Sequence, residues 1–181
     1  MRIVAGLWRG RSLTAPSGQE TRPTADRVRQ ALFDILLHAP WAGRAFLENA
    51  SVLDLFAGTG ALGLEALSRC AAHAIFVEHA RPALTALRAN IAACRAEAHC
   101  AVLPLDALSL PAGPRADLVF LDPPYGQDLI ARALARLRAT GRIGPGSLIV
   151  AETGRDEPAL DVDALSERAH GAARVTIWRE A

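Results

Sequence analysis

The stretch Val52-Leu53-Asp54-Leu55-Phe56-Ala57-Gly58-Thr59-Gly60-Ala61-Leu62-Gly63 decides how the rest of the chain is read. Residues 52–56 are an apolar run broken only by Asp54, suited to a strand buried on both faces of a parallel sheet. Glycines at 58, 60 and 63 then allow a sharp turn into a helix expected to run to about Cys70. Working outward, the alternation repeats. Strands are expected over 74–77, ended by Glu78; over 100–103, with Asp106 just beyond; over 118–121, ended by Asp122; and over 147–151, ended by Glu152. Helices are expected over 82–91 and 129–137. Such alternation predicts an α/β fold with a mainly parallel sheet covered on both faces. The last stretch differs: 165–170, Gly171 and 174–178 read as a closing hairpin.

Upstream, Thr24 is a plausible N-cap for a helix with Val28, Ala31, Leu32, Ile35 and Leu36 on one face and Arg27 and Gln30 on another, ended by Pro40. A linker over 15–23 precedes it. Residues 2–13 read as a small ribbon, two β-like runs around Gly6 and Gly10, with Trp8, Arg9 and Arg11 interleaved. Every basic residue is arginine, 20 in all. Residues 1–30 hold six of them against Glu20 and Asp26, so a basic arm projects from a body that is mildly acidic, the chain as a whole carrying +1. That asymmetry suggests a polyanionic partner.

With 181 residues, 51% of them hydrophobic, the chain suffices for one domain with a full core, 1–181, of which 1–23 is an N-terminal extension. No apolar run approaches the roughly 20 residues of a membrane span, and Met1-Arg2 is not followed by a signal-peptide core, so a soluble cytoplasmic protein is expected. Cys70, Cys94 and Cys100 lack C-x-x-C spacing and read as small buried hydrophobes. The five histidines form no ligand-spaced cluster, and no metal is expected.

The chemistry concentrates in two motifs. Gly58-x-Gly60-x-x-Gly63 follows a strand, opens a helix, and has Glu78 20 residues beyond Gly58, which meets the dinucleotide fingerprint. The same geometry serves S-adenosylmethionine, since both ligands need close backbone approach and a carboxylate for the ribose hydroxyls. Asp54 tips the balance: a carboxylate beside a pyrophosphate is unfavourable, whereas a cationic sulfonium tolerates it. Asp106 fits as an acceptor for an adenine amino group, with the Ala107 N–H as a ring contact. Asp54, Glu78, Asp106 and Asp122 are thus expected along the carboxyl ends of the strands, where such sheets bind ligands.

In the second motif, Asp122-Pro123-Pro124-Tyr125, two prolines remove two backbone donors and leave the Pro123 carbonyl as an acceptor beside a carboxylate and the only tyrosine. An acceptor-only pocket with a stacking ring matches a planar exocyclic amino group.

D-L-F-A-G-T-G followed by D-P-P-Y resembles the S-adenosylmethionine-dependent methyltransferases that act on amino groups. More narrowly, Gly6-Leu7-Trp8-Arg9-Gly10-Arg11, the run Arg22-Pro23-Thr24-Ala25-Asp26-Arg27-Val28-Arg29-Gln30-Ala31-Leu32-Phe33 and Gly60-Ala61-Leu62-Gly63-Leu64-Glu65-Ala66-Leu67-Ser68-Arg69 resemble the RsmD family, which methylates a guanine N2 in bacterial small-subunit ribosomal RNA. The resemblance implies a Rossmann-like class I methyltransferase sheet of seven strands, the last antiparallel. It implies cofactor contacts at Asp54, Phe56, Ala57, Gly58, Gly60, Glu78, Asp106 and Ala107, and a target base at Asp122, Pro123, Pro124 and Tyr125. Arg9, Arg11, Arg22 and Arg27 would hold phosphates of the rRNA or of an assembling small subunit, the protein acting as a monomer. Rival readings are methylation of adenine N6 in DNA or of a protein glutamine, and a nicotinamide oxidoreductase resting on the Gly58 loop alone.

Overall fold

The structure, a computed structural model, describes residues 1–16, 23–124 and 128–181, with the side chains of 23–25 outside that description. Seven strands form one sheet: β1 (Ser51–Leu55), β2 (His73–Val77), β3 (Cys100–Leu103), β4 (Leu118–Leu121), β5 (Leu148–Gly154), β6 (Ala164–His170) and β7 (Ala173–Arg179). Their order is β3-β2-β1-β4-β5-β7-β6. The first five are parallel, and β7 runs antiparallel between β5 and β6. The chain reverses its direction of sheet growth at β1, stepping first outward to β3 and then back to β4. The carboxyl ends on either side of that switch form the crevice used for ligands in open α/β sheets.

Alternate residues of each central strand enter opposite layers of the core. Val52, Phe76, Leu118, Phe120, Leu148 and Val150 pack with α1 (Pro23–His38), α3 (Ala61–Ser68) and α4 (Arg81–Cys94). Leu53, Leu55, Val77, Val119, Leu121, Ile149 and Ala151 pack with α5 (Leu129–Ala139). Just beyond α1, the Trp41 carbonyl accepts a hydrogen bond from Arg179 at the end of β7, which lies opposite Leu148 at the start of β5. The helix therefore descends across the sheet with its first turn, and Arg27, toward the carboxyl ends of the parallel strands.

Several expectations are corrected. Residues 2–13 form no paired strands: a single bridge joins Arg2 to Ser12, and the ribbon is closed by Ile3 N–H to Arg11 O at 2.9 Å and Leu13 N–H to Met1 O at 2.9 Å. Glycines 6 and 10, both at φ +82°, curl the chain between them too tightly for a ladder. The connection after Pro40 contains α2 (Arg44–Asn49), too short to leave a periodic signature. α1 starts at Pro23, one residue before the expected cap Thr24, and ends at His38, two residues before Pro40. β5 does not stop at Glu152 but continues to Gly154, because Glu152, Thr153 and Gly154 pair with Val175, Arg174 and Ala173 of β7. Cys70 is exposed in the left-handed region at φ +73°, whereas Cys94 is buried and Cys100 half-buried. At the outer edge β6 is mostly exposed, carries Glu167 and Arg168, and its register slips between Ala164 and Ser166.

Candidate active site

The loop after β1 is built by its own strain. Phe56 sits at φ +71°, uncommon for a bulky residue, and Ala57 N–H is tied to Val77 O at 2.9 Å, so the chain turns at the strand end. The glycines then serve different purposes. A Cβ on Gly58 would meet nothing nearer than 4.0 Å, which leaves that peptide open to a ligand. A Cβ on Gly60 would lie 2.4 Å from Leu87 and one on Gly63 2.3 Å from the Phe76 ring, so these two permit close packing against α4 and β2.

Glu78 follows β2 and is half-buried. One carboxylate oxygen accepts Gly58 N–H at 3.0 Å, and the other accepts His79 and Ala80 N–H, each at 2.7 Å. Three backbone donors thus hold the carboxylate against the open glycine, while lone-pair capacity remains for hydroxyl donors. After β3, Asp106 accepts Leu108 N–H at 2.8 Å and caps a short 3-10 turn, Ala107–Ser109, with Ala107 buried. The strand-end carboxylates with an open glycine between them fit a nucleoside whose ribose diol and amino group donate.

Asp54 is different. It lies inside β1, 2% exposed, and its Oδ2 accepts Gly63 N–H at 2.9 Å, so it reaches under the loop into the start of α3. Burial pushes its carboxyl up to about 7; the Gly63 bond opposes this and the charge of Glu78 adds to it. Because the folded state holds this proton more tightly than the unfolded chain, stability contributed here falls as pH rises from about 4 to about 7 and is level above. Asp54→Asn, which keeps an acceptor for Gly63, is expected to stabilise the fold at pH 8 by up to about 4 kcal/mol, and by roughly half that or less at pH 5. Urea denaturation at both pH values measures the difference; an equal gain at the two would rule out titration of Asp54 as its source.

Asp122 follows β4 directly, with Pro123 buried and Pro124 exposed. Protein packed around Asp122 raises its carboxyl above the ordinary range, and the negative charges of Glu152 and Asp54 push the same way. Solvent reaches the side chain at the sheet edge, which moderates the desolvation and leaves the like charges as a steady upward influence. Tyr125 lies outside the described residues, as does Arg22. Arg9, Arg11 and Arg27 are exposed.

Three residues that the sequence reading passed over tie the N-terminal arm to α3, α4 and the glycine loop. Glu65, fully buried in α3, accepts Val4 N–H at 2.8 Å, Ala5 N–H at 3.0 Å and Arg69 Nε at 2.9 Å, with Arg29 Nε at 3.4 Å. Arg29, also buried, donates in addition to Asp26 and to the Arg2 carbonyl. Asn90 in α4 accepts Thr14 N–H and donates to the carbonyls of Thr14 and Thr59, thereby fastening the arm to the glycine loop. Asn90 had a visible signal, a polar residue three positions after Leu87 on the buried face; Glu65 had none.

The family model described as "Conserved hypothetical protein 95" matches residues 1–179. "Ribosomal RNA small subunit methyltransferase D" of Haemophilus influenzae is 36% identical over 165 residues, covering 88% of this chain and 82% of the relative. The protein of the same name from Escherichia coli K12 is 40% identical over 155 residues, covering 84% and 74%. The solved structure of yhhF from Escherichia coli superposes with a TM-score of 0.85 at 35% identity, covering 100% of this chain and 98% of that one. On the match along almost its whole length and on these identities, the chain belongs to the RsmD family of S-adenosylmethionine-dependent methyltransferases.

Proposed function

We propose that this protein transfers the methyl group of S-adenosylmethionine to the exocyclic N2 amino group of a guanine in small-subunit ribosomal RNA. The observation that carries the reading is the placement of Asp122 and the Pro123 carbonyl at the end of β4, next to β1, whose loop leaves Gly58 open beside Glu78. The names of the Haemophilus and Escherichia relatives support ribosomal RNA of the small subunit as the substrate.

S-adenosylmethionine held at the Gly58 loop would supply a methyl group on a cationic sulfonium, its C–S bond yielding as the guanine N2 bonds to carbon. Phe56, Ala57, Gly58 and Gly60 shape its seat, Glu78 accepts from the ribose hydroxyls, and Asp106 with the Ala107 N–H reads the adenine ring. Asp54 braces the loop from beneath through Gly63 N–H and adds negative charge there when ionised. Asp122 and the Pro123 carbonyl accept the two amino hydrogens, which orients the nitrogen and stabilises the positive charge it gains in the transition state. Asp122 or a water takes the proton lost afterwards. Pro124 shapes the rigid turn and Tyr125 stacks on the base, extruded if it is paired.

Residues 1–23 serve as the RNA-contacting extension of a single domain, 1–181, which works as a monomer without a metal. Arg9, Arg11, Arg22 and Arg27 hold phosphates, which position the RNA and carry no sequence information. Among the described residues no helix is long and apolar enough to cross a membrane.

The test is transfer of labelled methyl from S-adenosylmethionine to small-subunit RNA and to small-subunit particles lacking the modification, followed by mass-spectrometric mapping. Label on the N2 of one guanine is expected. Label on adenine, or none on either substrate, would overturn the reading.

A further inference from the structure

We propose that Glu152 makes the pocket selective for guanine, its carboxylate accepting the N1–H of the target base while Asp122 and the Pro123 carbonyl accept from the amino group. This rests on the guanine N2 reading above and extends it to a residue that neither motif contains.

The sheet register sets the geometry. β4 and β5 are parallel, with Leu118 opposite Leu148 and Leu121 opposite Ala151, so the next step brings Asp122 beside Glu152. Neighbouring strands lie about 4.8 Å apart, within the span of one purine edge. Alternation puts the two side chains on the same face: Leu118 and Phe120 share a core layer with Leu148 and Val150, and Asp122 and Glu152 continue that series. This is the face that α1 crosses. Glu152 is also rigidly mounted, half-buried and backbone-paired to Val175 because β5 outruns β4 by three residues. Its charge is felt at Asp122, where it adds to the upward push on that carboxyl.

An amino group alone does not distinguish guanine. Adenine and cytosine each place a ring nitrogen with a lone pair next to their amino group, whereas guanine places a second donor, N1–H, next to N2. A carboxylate only accepts when ionised, so a second one beside Asp122 attracts the guanine edge and repels the other two. A pocket that hydrogen-bonds a donor at one position also discriminates against the analogue that presents a lone pair there. The pair Asp122 and Glu152 therefore carries a specificity that Asp122-Pro-Pro-Tyr lacks.

The experiment replaces the mapped guanine by 2-aminopurine, which keeps the 2-amino group but has a lone pair at N1. For wild-type protein, kcat/KM for labelled methyl transfer is expected to favour guanine by about 100-fold or more. Glu152→Gln, whose amide can donate to N1, is expected to shrink that preference by about tenfold or more, with binding of S-adenosylhomocysteine and the melting temperature unchanged. Glu152→Ala provides an independent measure: transfer to guanine should fall by about tenfold while transfer to 2-aminopurine holds. Preference ratios in both variants equal to the wild-type ratio would overturn the proposal. Failure of the guanine reading itself is separate, since it shows in the wild-type protein on unmodified RNA.

Discussion

Asp122→Ala is expected to reduce methyl transfer by about 100- to 1,000-fold, the range seen when one group stabilising a developing charge is removed from a preorganised site. The loss should fall on kcat more than on KM, because the lost bonds strengthen as the nitrogen becomes positive. Binding of S-adenosylhomocysteine, measured by calorimetry, should change little, since Gly58 and Glu78 follow other strands, β1 and β2. The raised carboxyl adds a pH signature. The ionised carboxylate is the stronger acceptor, so wild-type kcat/KM should climb with pH above the usual carboxylate range, whereas Asp122→Asn should give a flatter, lower profile. Undiminished transfer by the alanine variant would remove Asp122 from the chemistry.

Glu65→Ala is expected to cost the fold roughly 3–5 kcal/mol, because it leaves the buried cations Arg29 and Arg69 facing each other and two backbone donors without their acceptor. Glu65→Gln should cost less, as it keeps the shape and one acceptor. Urea denaturation gives the magnitude, and amide exchange gives the location: Val4 and Ala5 should lose protection well before the strands do. Loss of stability with Val4 and Ala5 still protected would mean that Glu65 supports α3 rather than the arm. The arm's other anchors lie on either side of Val4 and Ala5: Ile3 and Leu13 are buried in the core, Asn90 holds Thr14, Gly6 lies so close to α3 that a Cβ there would sit 1.8 Å from the Ser68 carbonyl, and Leu7 and Trp8 donate to the Ser68 carbonyl and hydroxyl.

The parts legible in the sequence are those encoded locally. The run through β1 into the glycines, and Glu78 at the end of β2, follow from apolar burial and turn chemistry within a few residues. What was not legible depends on distant partners. Glu65 lies on a helix buried nearly all round, so no polar face marks it, and its partners are 61, 60 and 36 residues upstream and four downstream. β5 runs past Glu152 because β7 supplies the ladder; in Glu-Thr-Gly only Thr favours a strand, and Glu and Gly on either side do not. α2, with six residues, is shorter than two helical turns and leaves no period to read. Asp54 was placed among the strand-end carboxylates, yet alternation turns it under the loop, where one oxygen is spent on Gly63.

The slip in β6 bears on how the protein behaves in solution. An outermost strand normally offers a row of unpaired amides and carbonyls as a template for another chain. Here the irregularity between Ala164 and Ser166 bends that row, and Glu167 and Arg168 set charge along it. A second copy meeting this edge would find Leu165 exposed but set among charges and a broken register, a combination that disfavours strand addition.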